Sequence, residues 1–75
     1  MAKDVDKFEK RFAEAVKKLR KDRGLSHERL AIAAGVTRPT IANIESCKKS
    51  PTLATCYKVA NSLGIPLSEL IKDAE

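Results

Sequence analysis

Apolar residues recur along this chain at spacings of three and four, in five short blocks separated by glycine, proline or polar clusters. That is helical periodicity, not the alternation of strands. The first predicted helix runs from about Asp6 to Arg23, with Val5, Phe8, Phe12, Ala15, Val16 and Leu19 on one apolar stripe. Asp4 or Asp6 can cap its start, Glu9 following Asp6 as in a capping box, and Gly24 ends it. A second helix is predicted over about His27–Ala34 and a third over about Arg38–Ser46, followed by a loop over Cys47–Ser50. Ser50-Pro51 reads as a helix opening, because proline at the first helical position gives up only an N–H that would be unpaired anyway. The fourth helix then runs to Leu63 and buries Leu53, Cys56, Val59, Ala60 and Leu63. Gly64 terminates it, Ile65 closes back onto it, and Pro66 opens a short fifth helix carrying Leu67, Leu70 and Ile71. No strand pattern, repeat or low-complexity tract is present, so the pattern predicts one all-α domain over residues 1–75. Only the first few and last few residues are expected to fray.

The most informative stretch is SHERLAIAAGVTRPTIANIESC, Ser26 to Cys47. Ser26 can cap one helix with its side-chain oxygen, and Leu30, Ala31 and Ala34 follow at helical spacing. Gly35 stands where that helix must stop and tolerates the left-handed backbone such a stop needs. Val36 is a small anchor in the turn, Thr37 can cap the next helix, and Ile41 and Ile44 point back inward. Two helices joined by a short glycine-containing turn match the helix-turn-helix pattern, whose second helix is a rod that fits the DNA major groove. At about 100° per residue, with Ile41 and Ile44 inward, the outward set is Pro39, Ala42, Asn43 and Ser46, with Arg38 on one flank. Arg38 has the donors to bond guanine O6 and N7, and Asn43 the groups to bond adenine N6 and N7. The plain alternative for the same residues is a solvated helix face.

Leu30-Ala31, Gly35-Val36, Ile41 and Ile44-Glu45 together resemble the lambda-repressor/Cro-like helix-turn-helix family, also called the xenobiotic-response-element family. LRKDRGLS before the block and SPTLATCYKVANSLGIPLSELI after it extend the resemblance from about Phe12 to Ile71. It implies a compact five-helix DNA-binding domain, helices 2 and 3 forming the helix-turn-helix, usually acting as a homodimer on a palindromic operator. Base contacts in such proteins come from the start of helix 3 and one turn later, which here are Thr37, Arg38, Pro39 and Asn43. The position of His27, at the start of helix 2, often touches a phosphate there; a solvated histidine is the alternative. Thr40, Ser46, Lys48 and Lys49 flank helix 3 as phosphate clamps, with Arg23 and Arg29 as weaker candidates. The resemblance also joins Arg20, late in helix 1, to Glu45 near the end of helix 3, a structural pair worth about 0–1 kcal/mol if exposed and more if buried.

Two positions leave alternatives open. Pro39 pushes Arg38 away from helical dihedrals, so either Thr37 or Arg38 can be the cap, and its ring either meets a thymine methyl or only stiffens the helix start. Cys47 departs from the family, which usually has glycine just after Glu-x. A left-handed residue there costs about 1–2 kcal/mol unless it is Gly or Asn, so a different loop is expected. Either Cys47 senses thiol chemistry, with Lys48 and Lys49 lowering its pKa, or it is a tolerated substitution. Cys56 lies on the buried stripe of helix 4 and reads as core.

Composition sharpens this picture. Residues 1–25 hold nine Lys/Arg against five Asp/Glu, residues 26–50 four against two, and residues 51–75 two against three, within a net charge of +5. A basic front suits a polyanion, although many small soluble proteins are basic. A chain this size buries only about 60% of the surface its unfolded form exposes, so self-association would help stability. Leu63, Ile65, Leu67, Leu70 and Ile71 are the dimer-interface candidates, some of which must also fill the monomer core. One His and two separated Cys do not supply a usual zinc set, and no glycine-rich phosphate loop occurs, so no cofactor and no metal are expected. Ser26 and His27 are adjacent and point in different directions, which argues for a cap and against catalysis. The longest apolar run, Leu30 to Ala34, is too short for a bilayer, and a cytoplasmic protein with free thiols is expected. No sensing domain for a small-molecule ligand is evident, so control by protein concentration is expected, as in phage Cro-type or restriction–modification controller proteins. The competing readings are an antitoxin-like or other protein-interaction module on the same fold, or an RNA binder. The latter lacks aromatic stacking platforms, Tyr57 alone being left once Phe8 and Phe12 enter the core.

Overall fold

The computed structural model describes residues 2–75, with side chains from Asp4 onward; the expectation of fraying at Met1 lies outside the described residues. Five helices follow in order: α1 (Ala2–Asp22), α2 (His27–Ala34), α3 (Arg38–Glu45), α4 (Leu53–Ser62) and α5 (Leu67–Ala74). α1 packs on α5 and α3, α2 on α3 and α4, and α4 on α5. One core results, in which Val16, Leu30, Ile41, Val59, Leu63 and Leu70 are fully enclosed. Phe8 and Phe12 sit at its edge with ring centroids 6.1 Å apart.

The helix ends explain how so short a chain turns four times. Gly24, Gly35, Cys47 and Gly64 all have positive φ, at 66°, 71°, 59° and 77°. Each is followed by the same pair of bonds. At Gly35, the Val36 N–H reaches the Ala31 carbonyl at 2.9 Å and the Gly35 N–H reaches Ile32 at 3.2 Å. At Cys47, the Lys48 N–H reaches Asn43 at 3.0 Å and the Cys47 N–H reaches Ile44 at 3.2 Å. This double closure satisfies the last helical carbonyls and requires a left-handed residue. Three of the four positions are filled by glycine. The fourth is Cys47, so the loop keeps the usual left-handed turn instead of adopting a different one, and the side chain bears the strain.

The structure corrects several expectations at the helix ends. α1 begins at Ala2, so Asp4 and Asp6 lie inside the helix instead of capping it. Twenty-one residues give about 31 Å of helix, close to the molecule's 34 Å long axis, so the first turns overhang the body and Val5 is 57% exposed. α3 ends at Glu45, with Ser46 as its cap. α4 starts at Leu53, not Pro51, because Thr52 adopts an extended backbone and its side chain accepts the Thr55 N–H at 3.1 Å. That cap turns Leu53 outward, 73% exposed instead of buried. At the other end the last turn is held: Ala74 is fully buried and the Arg11 guanidinium donates to the Glu75 carbonyl at 2.6 Å.

Candidate nucleic-acid interface

α3 is seated by Ile41 and Ile44, both buried, and by the turn that precedes it. Thr37 is its N-cap, in extended backbone, and its carbonyl accepts from the Thr40 and Ile41 N–H groups. Those bonds require Arg38 to be helical, so Arg38 is the first helical residue and not the cap, despite the proline that follows it. The Thr37 side chain does not cap the helix; its hydroxyl pairs with that of Thr40 at 2.8 Å. Arg38 and Pro39 are exposed, and Ala42 and Asn43 are half-buried. The outward residues therefore form a small, polar, low-relief strip on a short rigid helix.

The far end of α3 is anchored to two other helices through one carboxylate. The Arg20 Nε–H donates to Glu45 Oε2 at 2.7 Å, and its Nη2 donates to Oε1 at 3.0 Å. Arg20 Nη1 donates to the Leu25 carbonyl at 2.8 Å, tying the connection between α1 and α2 into the same cluster. His27 Nε2 lies 3.0 Å from Glu45 Oε1; an ionised carboxylate only accepts, so Nε2 carries the proton. Burial pushes the Glu45 carboxyl up, but the hydrogen bonds and charges of Arg20 and His27 outweigh it and hold the carboxyl below its ordinary value. The bond to Glu45 in turn raises Arg20 above its usual value, against desolvation. Forked two-bond pairing fixes direction as well as distance, so α1, α2 and α3 keep one relative orientation.

The remaining predicted site residues divide by position. Ser46, Lys48 and Lys49 are exposed just beyond α3, and the Ser46 hydroxyl turns back to the Asn43 carbonyl. His27 spends Nε2 on Glu45, which leaves only Nδ1 for a phosphate. Its third-member role in the Arg20–Glu45 cluster has no signal in the sequence, because it depends on where α2 begins relative to the end of α3. Among the dimer candidates, Leu63 and Leu70 are 1% and 0% exposed, so both belong to the monomer core and cannot themselves face a second copy. Ile65 and Leu67 line a surface depression on α4–α5 with Tyr57, while Ile71 lines a separate apolar cleft between α1 and α4. Among the described residues no three His, Cys, Asp or Glu side chains gather as a metal site, and no helix is long and apolar enough to cross a membrane.

A family model described as helix-turn-helix (HTH_3) matches residues 16–70. The chain is 45% identical over 56 residues to the HTH-type transcriptional regulator SutR of Escherichia coli, covering 75% of this chain and 32% of that protein. It is 39% identical over 66 residues to the control protein C.MunI of a Mycoplasma species, covering 87% of this chain and 89% of that one. The crystal structure of the restriction–modification controller protein C.AhdI from Aeromonas hydrophila superposes with a TM-score of 0.79 at 31% identity, over 83% of this chain and 94% of that one. This chain thus spans about a third of SutR's length and nearly all of each controller protein's. These relatives are regulators and controller proteins, not enzymes.

Proposed function

The chain belongs to the helix-turn-helix (HTH_3) family, and from that premise we propose that it is a sequence-specific, double-stranded-DNA-binding transcriptional regulator acting as a homodimer. The observation that carries this reading is the split within α3. Its outward strip of Arg38, Pro39, Ala42 and Asn43 is free of core duties, while Glu45 is held on two sides by Arg20 and His27. A rigidly aimed helix with replaceable outward residues is what reading base edges needs. Thr37, Arg38, Pro39 and Asn43 meet the bases, and Thr40, Ser46, Lys48 and Lys49 hold phosphates. The self-association face is the α4–α5 surface around Tyr57, Ile65 and Leu67, which Leu63 and Leu70 support from beneath. The near full-length match to two controller proteins supports that subtype.

Selection of bound sequences from a random duplex pool at near-physiological salt tests the reading. Recovery of a palindrome with half-sites about one helical turn, 34–36 Å, apart is the expected result. Salt-sensitive binding with no recovered sequence overturns it. Tyr57→Glu, at a 60% exposed position, is expected to sediment as a monomer that still folds; an unchanged dimer moves the interface elsewhere.

A further inference from the structure

A groove open to solvent runs alongside α3, between it and the last turns of α1. One wall is the outward side of α3, with Asn43 and Ser46. The other wall is α1, with Lys17 and Lys21 one helical turn apart, and Lys48 closes the end. Glu45 is the only carboxylate lining it, and that carboxylate is already occupied by Arg20 and His27. Among the described residues no ion pair engages Lys17, Lys21 or Lys48. On the solvent side of the same α1 lysines stand Glu14 and Asp22, and neither comes within ion-pair distance. Like charges four residues apart on a helix repel each other, and an anion between them removes that repulsion.

We propose that Lys17 and Lys21 bind the phosphate backbone of the same duplex whose major groove α3 enters, so that α1 is a DNA-contacting element in its own right. This rests on the DNA-binding reading above. The groove shares Asn43 with the strip that faces the bases, and phosphates border the major groove on both sides. A backbone strand lying beside Asn43 therefore passes the α1 wall. Lys17 precedes Arg20 by three residues and shares its helix face, so the direction of Arg20 toward Glu45 is what turns Lys17 to this groove. The contact carries no base information and adds register and affinity.

The test is a salt series on the full chain, with Lys17→Gln/Lys21→Gln against the unaltered protein, on the selected operator duplex and on an unrelated duplex of equal length. The slope of log affinity against log salt is expected to fall by about one for each lysine, with the same fold-loss on both duplexes. Both lysines are exposed, and circular dichroism is expected to be unchanged. Lys18→Gln removes the same charge from α1 outside this groove and is expected to keep the slope. An unchanged slope in the double variant, or an equal fall in Lys18→Gln, overturns the proposal. Absence of any preference between the two duplexes in the unaltered chain overturns the sequence-reading function instead, and the slope still decides the α1 contact.

Discussion

At its C-terminal end α3 is held by a largely buried carboxylate, Glu45, that accepts hydrogen bonds from α1 and α2. At its N-terminal end Thr37, Arg38 and Pro39 stand in solvent, joined to the rest only by backbone bonds and a threonine pair. Thr37 and Glu45 are eight residues apart and serve opposite needs. The anchored end sets where the helix points, and both Glu45 carboxylate oxygens are engaged. The open end carries Thr37, Arg38 and Pro39, three of the side chains proposed to meet bases, and nothing in the core depends on them. On the proposed reading, specificity can therefore change at Arg38 or Asn43 while the fold and the docking angle stay the same.

The sharpest way to break this contrast is at the anchored end. Glu45→Ala leaves the Arg20 guanidinium largely buried without its counter-charge, and is expected to cost about 3 kcal/mol in denaturant unfolding. A loss well under 1 kcal/mol would class the cluster with ordinary exposed ion pairs. Acid probes the same residue without mutation. The Glu45 carboxyl is held below its ordinary value in the folded chain, so its contribution is fully present above the unfolded carboxyl pKa of about 4.3 and is lost as pH falls through the lower folded value. The stability difference between the unaltered chain and Glu45→Ala is expected to shrink as pH falls below that point; a difference constant down to strong acid would deny the cluster its charge.

At the open end the expected effect is smaller and falls on binding alone. Arg38→Ala is expected to cost about 1–3 kcal/mol on the preferred duplex and to relax choice at one base pair, with the unfolding midpoint unchanged. Equal weakening on every sequence would make Arg38 a phosphate contact. The smallest effect is expected just past the anchor. Cys47→Gly removes the side chain from a backbone at φ 59°, and the gain is about 0.5 kcal/mol once the greater freedom of unfolded glycine is subtracted. A loss of stability would mean that the Cys47 thiol contributes more than its strain costs, through its place in the cleft with Phe8, Phe12 and Cys56.

Much of the fold is readable from local signals, and the misses have identifiable causes. Ser26 and Gly35 bracket α2 because side-chain capping and left-handed closure are decided within five residues of chain. At the start of α4 the Ser50-Pro51 signal misleads, because periodicity does not fix where the first turn begins. The Thr52 hydroxyl wins by taking the Thr55 N–H, which also turns Leu53 to solvent. Leu63, Leu70, Ile65 and Leu67 are indistinguishable as a list of apolar residues. Packing of α5 against both α1 and α4 encloses the first two and leaves the others half-buried at the core's edge.

By itself the sequence determined five helices, their glycine stops and the strip of α3 that faces away from the core, because each depends on hydrogen bonds or side-chain spacing within a few residues. The tertiary structure alone decided that His27 joins Arg20 on Glu45 and that Lys17 and Lys21 share a groove with Asn43. Those facts depend on how α1, α2 and α3 cross, and the crossing is set by the shared core and by one carboxylate reached from two directions.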